Sequence, residues 1–152
     1  MNTTRNYFIL FAIYVCLHTL LDFFYIFFTS HSLKRHFASI QKLSSIDKVE
    51  YRFWPYGLIA YLILFFSVWY FLIYRIAQAT MQKEEKTKVW KIIVFDSFMF
   101  ALVVWGIYNF TNATTLAPRD HTVIMVDMLW GICSIMFLSF ITYLITSFAF
   151  SE

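Results

Sequence analysis

The chain has 152 residues, of which 61% are hydrophobic, 22% aromatic and only 14% charged, with a net charge of +3. A water-soluble domain of this length would have to expose large apolar patches, so soluble classes are excluded. The charge is small and scattered over loops, which gives no nucleic-acid footprint.

Four apolar runs approach the ~20 residues that cross a bilayer. The sequence therefore predicts an all-α integral membrane protein, a single domain over residues 1–152 with spans at about 7–28, 56–74, 90–108 and 123–148. A four-helix bundle is expected, with an amphipathic surface helix in the first loop. No internal repeat, nucleotide loop, metalloprotease helix or serine elbow accompanies it.

The first span follows a polar tip carrying Arg5. It is too long for a signal-peptide core and has no small-x-small cleavage pattern, so it is expected to stay as an anchor. His18 and Asp22 interrupt it four residues apart, hence on one helix face. A carboxylate in lipid is costly, which marks a functional site or a bond to a neighbouring helix. Cys16, and Cys133 in the last span, read as buried thiols without metal-ligand spacing.

In the first loop Leu33, Phe37 and Ile40 recur at helical spacing among Lys34, Arg35, His36 and Lys42. That pattern suits a helix lying on the membrane surface. Ser44 and Asp47 have the spacing of a capping box, and Trp54-Pro55-Tyr56 suits an interfacial helix start. His31 and His36 read as solvated, not as metal ligands.

The second span carries no charge and reads as lipid-facing scaffold. Residues 75–89, with Lys83, Glu84, Glu85, Lys86 and Lys88, read as a solvated connector. In the third span Asp96 lies near the membrane face opposite to Asn109 and reads as an interfacial cap or inter-helix bond.

Polar residues crowd the hairpin between the last two spans: Asn109, Thr111 and Asn112 before it, Asp127 after it. With a rise of ~1.5 Å per residue, Asp22 and Asp127 fall on the order of 10 Å inside the same interface, with His18 about a turn deeper. His18, Asp22, Asn109, Thr111, Asn112 and Asp127 are therefore the candidate site residues, expected to meet near the face bearing the first and third loops. Orientation is open, because six Lys and Arg flank each side.

Tyr108-Asn109-Phe110-Thr111-Asn112, Thr115-Leu116 and Val126-Asp127-Met128-Leu129-Trp130-Gly131 resemble the domain-of-unknown-function 2177 family of small four-span bacterial membrane proteins. Its pattern is Tyr-Asp-x-Thr-Asn, Ala-Thr-Leu and Val-Asp-x-x-Trp-Gly, with an early Leu-Asp-x-x-Trp that Leu21-Asp22-Phe23-Phe24-Tyr25 resembles. This chain departs by having Asn109 for Asp and Tyr25 for Trp, and Ser97 and Ala101 where Gly is usual. The resemblance covers essentially the whole chain and implies the four-span fold and the polar hairpin site. It brings no reaction.

Three functions fit, in order. The first is a polar intramembrane pocket that binds or moves a proton, a small solute or a lipid headgroup. The second is a non-catalytic accessory subunit of a larger membrane complex, such as a respiratory one, and the third a membrane-embedded lipid-modifying enzyme. No catalytic residue, cofactor or metal is assigned. Expected partners are membrane lipid and other membrane subunits or a second copy of the chain, in a bacterial inner membrane or an organelle membrane such as the mitochondrial inner membrane.

Overall fold

Lipid offers peptide groups no hydrogen bonds, so a spanning segment must satisfy them internally, and this chain does so with helices. The computed structural model describes the backbone of residues 3–44, 54–115 and 121–149, and side-chain surroundings over 4–29, 58–111 and 121–149. Among the described residues, four helical stretches are long and apolar enough to cross a membrane: Thr4–Thr29, Leu58–Met81, Lys86–Thr111 and His121–Ala149. The chain is an all-α, four-span membrane protein.

The first helix runs unbroken over Thr3–Ser44. The segment expected at the membrane surface is thus helical and continues the first span directly. The side chains of Leu33, Phe37 and Ile40, together with Asp47 and the hairpin residues Pro118, Arg119 and Asp120, lie outside the described residues.

The second rod consists of Trp54–Val68, a π-helical stretch Trp69–Ile73, and Tyr74–Met81. The third is built alike, from Lys86–Lys91, π-helical Ile92–Asp96 and Ser97–Thr115. The charged connector is shorter than its composition suggests. Ile76, Ala77 and Ala79 are buried and keep the second rod helical past Arg75, so the turn shrinks to residues 82–85. There the Lys83 and Glu84 amides donate to the carbonyls of Thr80 (3.1 Å) and Ala79 (3.0 Å), with Lys83 at φ 54°. This is the left-handed cap that commonly ends a helix.

The fourth helix, His121–Ala149, touches each of the other three rods. Its inner face is Ile124, Gly131, Ser134, Ile135, Leu138, Ser139, Thr142 and Thr146. Small residues at three- and four-residue steps let neighbouring backbones approach closely. Their hydroxyls are satisfied without water: Ser134 donates to the Gly131 carbonyl (3.1 Å), Thr142 to Leu138 (2.7 Å) and Thr146 to Thr142 (2.7 Å).

Against the third rod the fourth helix keeps one antiparallel register in steps of four. Ser97 meets Ser139 through a 2.8 Å hydroxyl pair, Ala101 and Ile135 share the core, and Trp105 packs on Gly131. Tyr14, Val68, Leu72, Ile73 and Leu138 complete that core. The second span is therefore lipid-facing only in part: residues 58–63 and Phe66 point outward, but Val68, Leu72 and Ile73 are fully buried.

Phe8, Phe23, Phe24, Phe27, Phe28 and Phe148 form much of the outer surface, where they contact lipid. Cys16 and Cys133 also lie on the outside, contrary to the expectation of burial in protein. A thiol behaves as a small hydrophobe, and acyl chains shield it as well as a core does.

Gly131 leaves room for the Trp105 indole, and a Cβ there would collide with the ring. Gly131→Ala should cost about 1–3 kcal/mol, the usual range for overpacking, and lower the melting temperature in detergent. At Gly106 an added Cβ meets nothing within 4 Å, so Gly106→Ala should melt like wild type. Equal melting of the two variants would show that the Trp105 contact is not made.

Candidate functional site

Helical spacing alone places Tyr14, His18, Asp22, Tyr25 and Thr29 on one stripe of the first helix, by steps of four, four, three and four. Residues on either side of it, such as Phe23, Phe24 and Phe27, face lipid. The stripe is where this helix meets the others.

At its deep end His18 is fully buried, with 0% exposure. Its Nδ1 lies 2.9 Å from the Tyr14 hydroxyl, which is also 3.2 Å from the carbonyl of Phe65 on the second rod. The Phe65 ring lies 4.7 Å from the imidazole, centroid to centroid. His18 Nε2 has no hydrogen-bond partner among the described residues, and the nearest charge is Asp22 Oδ2 at 3.9 Å. That gap exceeds a direct hydrogen bond.

One turn further toward the loops, Tyr25 donates to Asp127 Oδ1 of the fourth helix at 2.5 Å. Its ring stacks on Trp130 at 5.2 Å, fixing the hydroxyl beneath the carboxylate. Thr29 in turn donates to the Tyr25 carbonyl at 2.5 Å.

Asn109 is fully buried and donates to the Trp105 carbonyl at 3.1 Å. It does not close its helix, as the sequence suggests. The third rod continues six residues beyond it, to Thr115, which carries Asn109 inside the bundle. Continuing the four-residue register past Trp105 and Gly131 brings Asn109 level with Asp127. Thr111 is exposed at the end of the span, and the side chain of Asn112 lies outside the described residues.

The geometry thus pairs His18 with Asp22 on one helix face and Asp127 with Tyr25 one turn away, with Asn109 level with Asp127 by register. It adds two tyrosines absent from the candidate set, Tyr14 and Tyr25. Both are marked in the sequence by spacing, since Tyr14 precedes His18 by four and Tyr25 follows Asp22 by three. Asp96, near the opposite face, makes an inter-helix ion pair with Arg75 at 3.4 Å. Among the described residues no cluster of His, Cys, Asp and Glu is arranged to hold a metal.

A family model described as a predicted membrane protein (DUF2177) matches residues 7–144. No curated protein and no solved structure matches the chain.

The Tyr25–Asp127 bond makes a coupled prediction. Asp127→Leu and Tyr25→Phe should each lower the melting temperature, although Leu makes the span more apolar. The two losses should not add, with a coupling between about 0.6 and 1.7 kcal/mol, the range for hydrogen bonds between membrane helices. Melting of Asp127→Leu at or above wild type would mean that Asp127 belongs to no polar network.

Proposed function

The chain belongs to the DUF2177 family of predicted membrane proteins, and we propose that its intramembrane polar cluster binds and moves a proton. Asp22 and His18 hold the proton, Tyr14 adjusts to the protonation of His18, and Asp127 with Tyr25 and Asn109 forms the polar approach from the nearer membrane face.

The observation that carries this reading is the double reach of the Tyr14 hydroxyl, 2.9 Å from His18 Nδ1 and 3.2 Å from the Phe65 carbonyl. When Nδ1 is unprotonated, Tyr14 donates to it. When Nδ1 carries a proton, that proton is donated to the Tyr14 oxygen and the hydroxyl turns to Phe65. Both forms of the ring are satisfied without moving a backbone atom, which is what a proton-handling histidine requires. Nε2 meanwhile faces Asp22 across 3.9 Å, one turn along the same helix face. Ionisable side chains inside a span are costly and by default mark such paths.

Reconstituted vesicles containing a pH-sensitive dye test the reading. Wild type should dissipate an imposed proton gradient faster than protein-free vesicles do. Asp22→Asn and His18→Gln should fall to the protein-free leak, and Tyr14→Phe to an intermediate rate. Asp22→Asn and His18→Gln conducting like wild type while inserted and monodisperse would defeat the proposal.

A further inference from the structure

The short turn between the second and third rods lies at the opposite end of the bundle from Asp22 and Asp127, and it borders a recess of about 250 Å³. Its lining includes Thr80, Lys83, Lys86, Trp90, Tyr143 and Ser147. The rings of Trp90 and Tyr143 are 5.7 Å apart and supply its aromatic surface. Glu84 also borders the recess, and its Oε2 lies 2.7 Å from Lys88 Nζ as an ion pair. Lys83 and Lys86 are both exposed, and neither has an ion-pair partner among the described residues.

The position of this recess identifies its chemistry. It opens where the second and third spans end at Met81 and Lys86, the level at which Trp and Tyr meet the headgroup layer. Two unpaired ammonium groups, with an aromatic surface and hydroxyls in the same recess, match an anionic phosphodiester whose acyl chains continue into lipid. Lys83 adds a second, independent sign. It occupies the left-handed capping position at φ 54°, where glycine costs nothing and a side chain is strained. Lysine at that position holds an ammonium group at the rim, which a glycine cap would remove.

We infer that this recess binds the phosphate headgroup of an anionic phospholipid, through Lys83 and Lys86. The inference is independent of the proton reading, since the two sites share no residue and lie at opposite faces.

Detergent melting with added phosphatidylglycerol, phosphatidylcholine or inorganic phosphate provides the test. Phosphatidylglycerol should raise the melting temperature, while phosphatidylcholine and inorganic phosphate should not. Lys86→Gln, at an exposed position, should weaken the phosphatidylglycerol response roughly five-fold, the worth of one lysine at an anionic surface. Lys83→Gly relieves the backbone strain, so it should melt no lower than wild type without lipid and yet lose a similar part of the response. A full phosphatidylglycerol response in the Lys83→Gly, Lys86→Gln double variant would overturn the assignment, as would an equal response to phosphatidylcholine. Inorganic phosphate reproducing the whole shift would overturn the lipid as the ligand.

Discussion

An oxygen or ring nitrogen carried into hydrocarbon must be met by another protein atom, because the solvent there supplies none. In this chain that requirement decides which way the first helix faces. Most of its outer surface is Phe, Leu and Ile, and such residues suit either lipid or protein. Among the described residues of that span, Asn6, Tyr14, His18, Asp22, Tyr25 and Thr29 mark one face by their polar atoms. They turn inward, to the Phe65 carbonyl at one level and the Asp127 carboxylate at another. The apolar remainder follows, with Phe23, Phe24, Phe27 and Phe28 left for lipid.

The fourth helix supplies the surface on which this happens. Its small residues permit close contact, and the register of Ser97 with Ser139 and Trp105 with Gly131 sets the levels along the bundle. Ser97 and Ala101 are both fully buried at this contact, where small side chains let the two rods approach. The same register delivers Asn109 to the depth of Asp127. At the other end the π-helical stretches Trp69–Ile73 and Ile92–Asp96 lie beside the Arg75–Asp96 ion pair.

The four spans were legible because run length and apolarity are strong signals in a chain with few breakers. Depth is argued from helical rise, which converts sequence distance into height, and the Tyr25–Asp127 bond ties the first and fourth helices one turn from Asp22. Facing was only half legible. His18 and Asp22 stood out as ionisable residues, whereas Tyr14 and Tyr25, though in helical register with them, stood among ten tyrosines that also serve as interfacial anchors. The helix ends were misjudged for a related reason. Amides near Asn109 look like a terminus, and charges after Arg75 look like a linker. Burial of Asn109 in one case, and of Ile76, Ala77 and Ala79 in the other, extends the helix past both signals.

The central claim is that the polar stripe of the first helix is bonded to the fourth through Tyr25 and Asp127. Solid-state NMR on the unmodified chain in bilayers, with ¹³C at tyrosine Cζ and aspartate Cγ, reads that contact directly. The account predicts a tyrosine–carboxyl cross-peak that disappears in Tyr25→Phe and also in Asp127→Leu. Absence of the cross-peak from wild type, or its survival in both variants, would contradict the account.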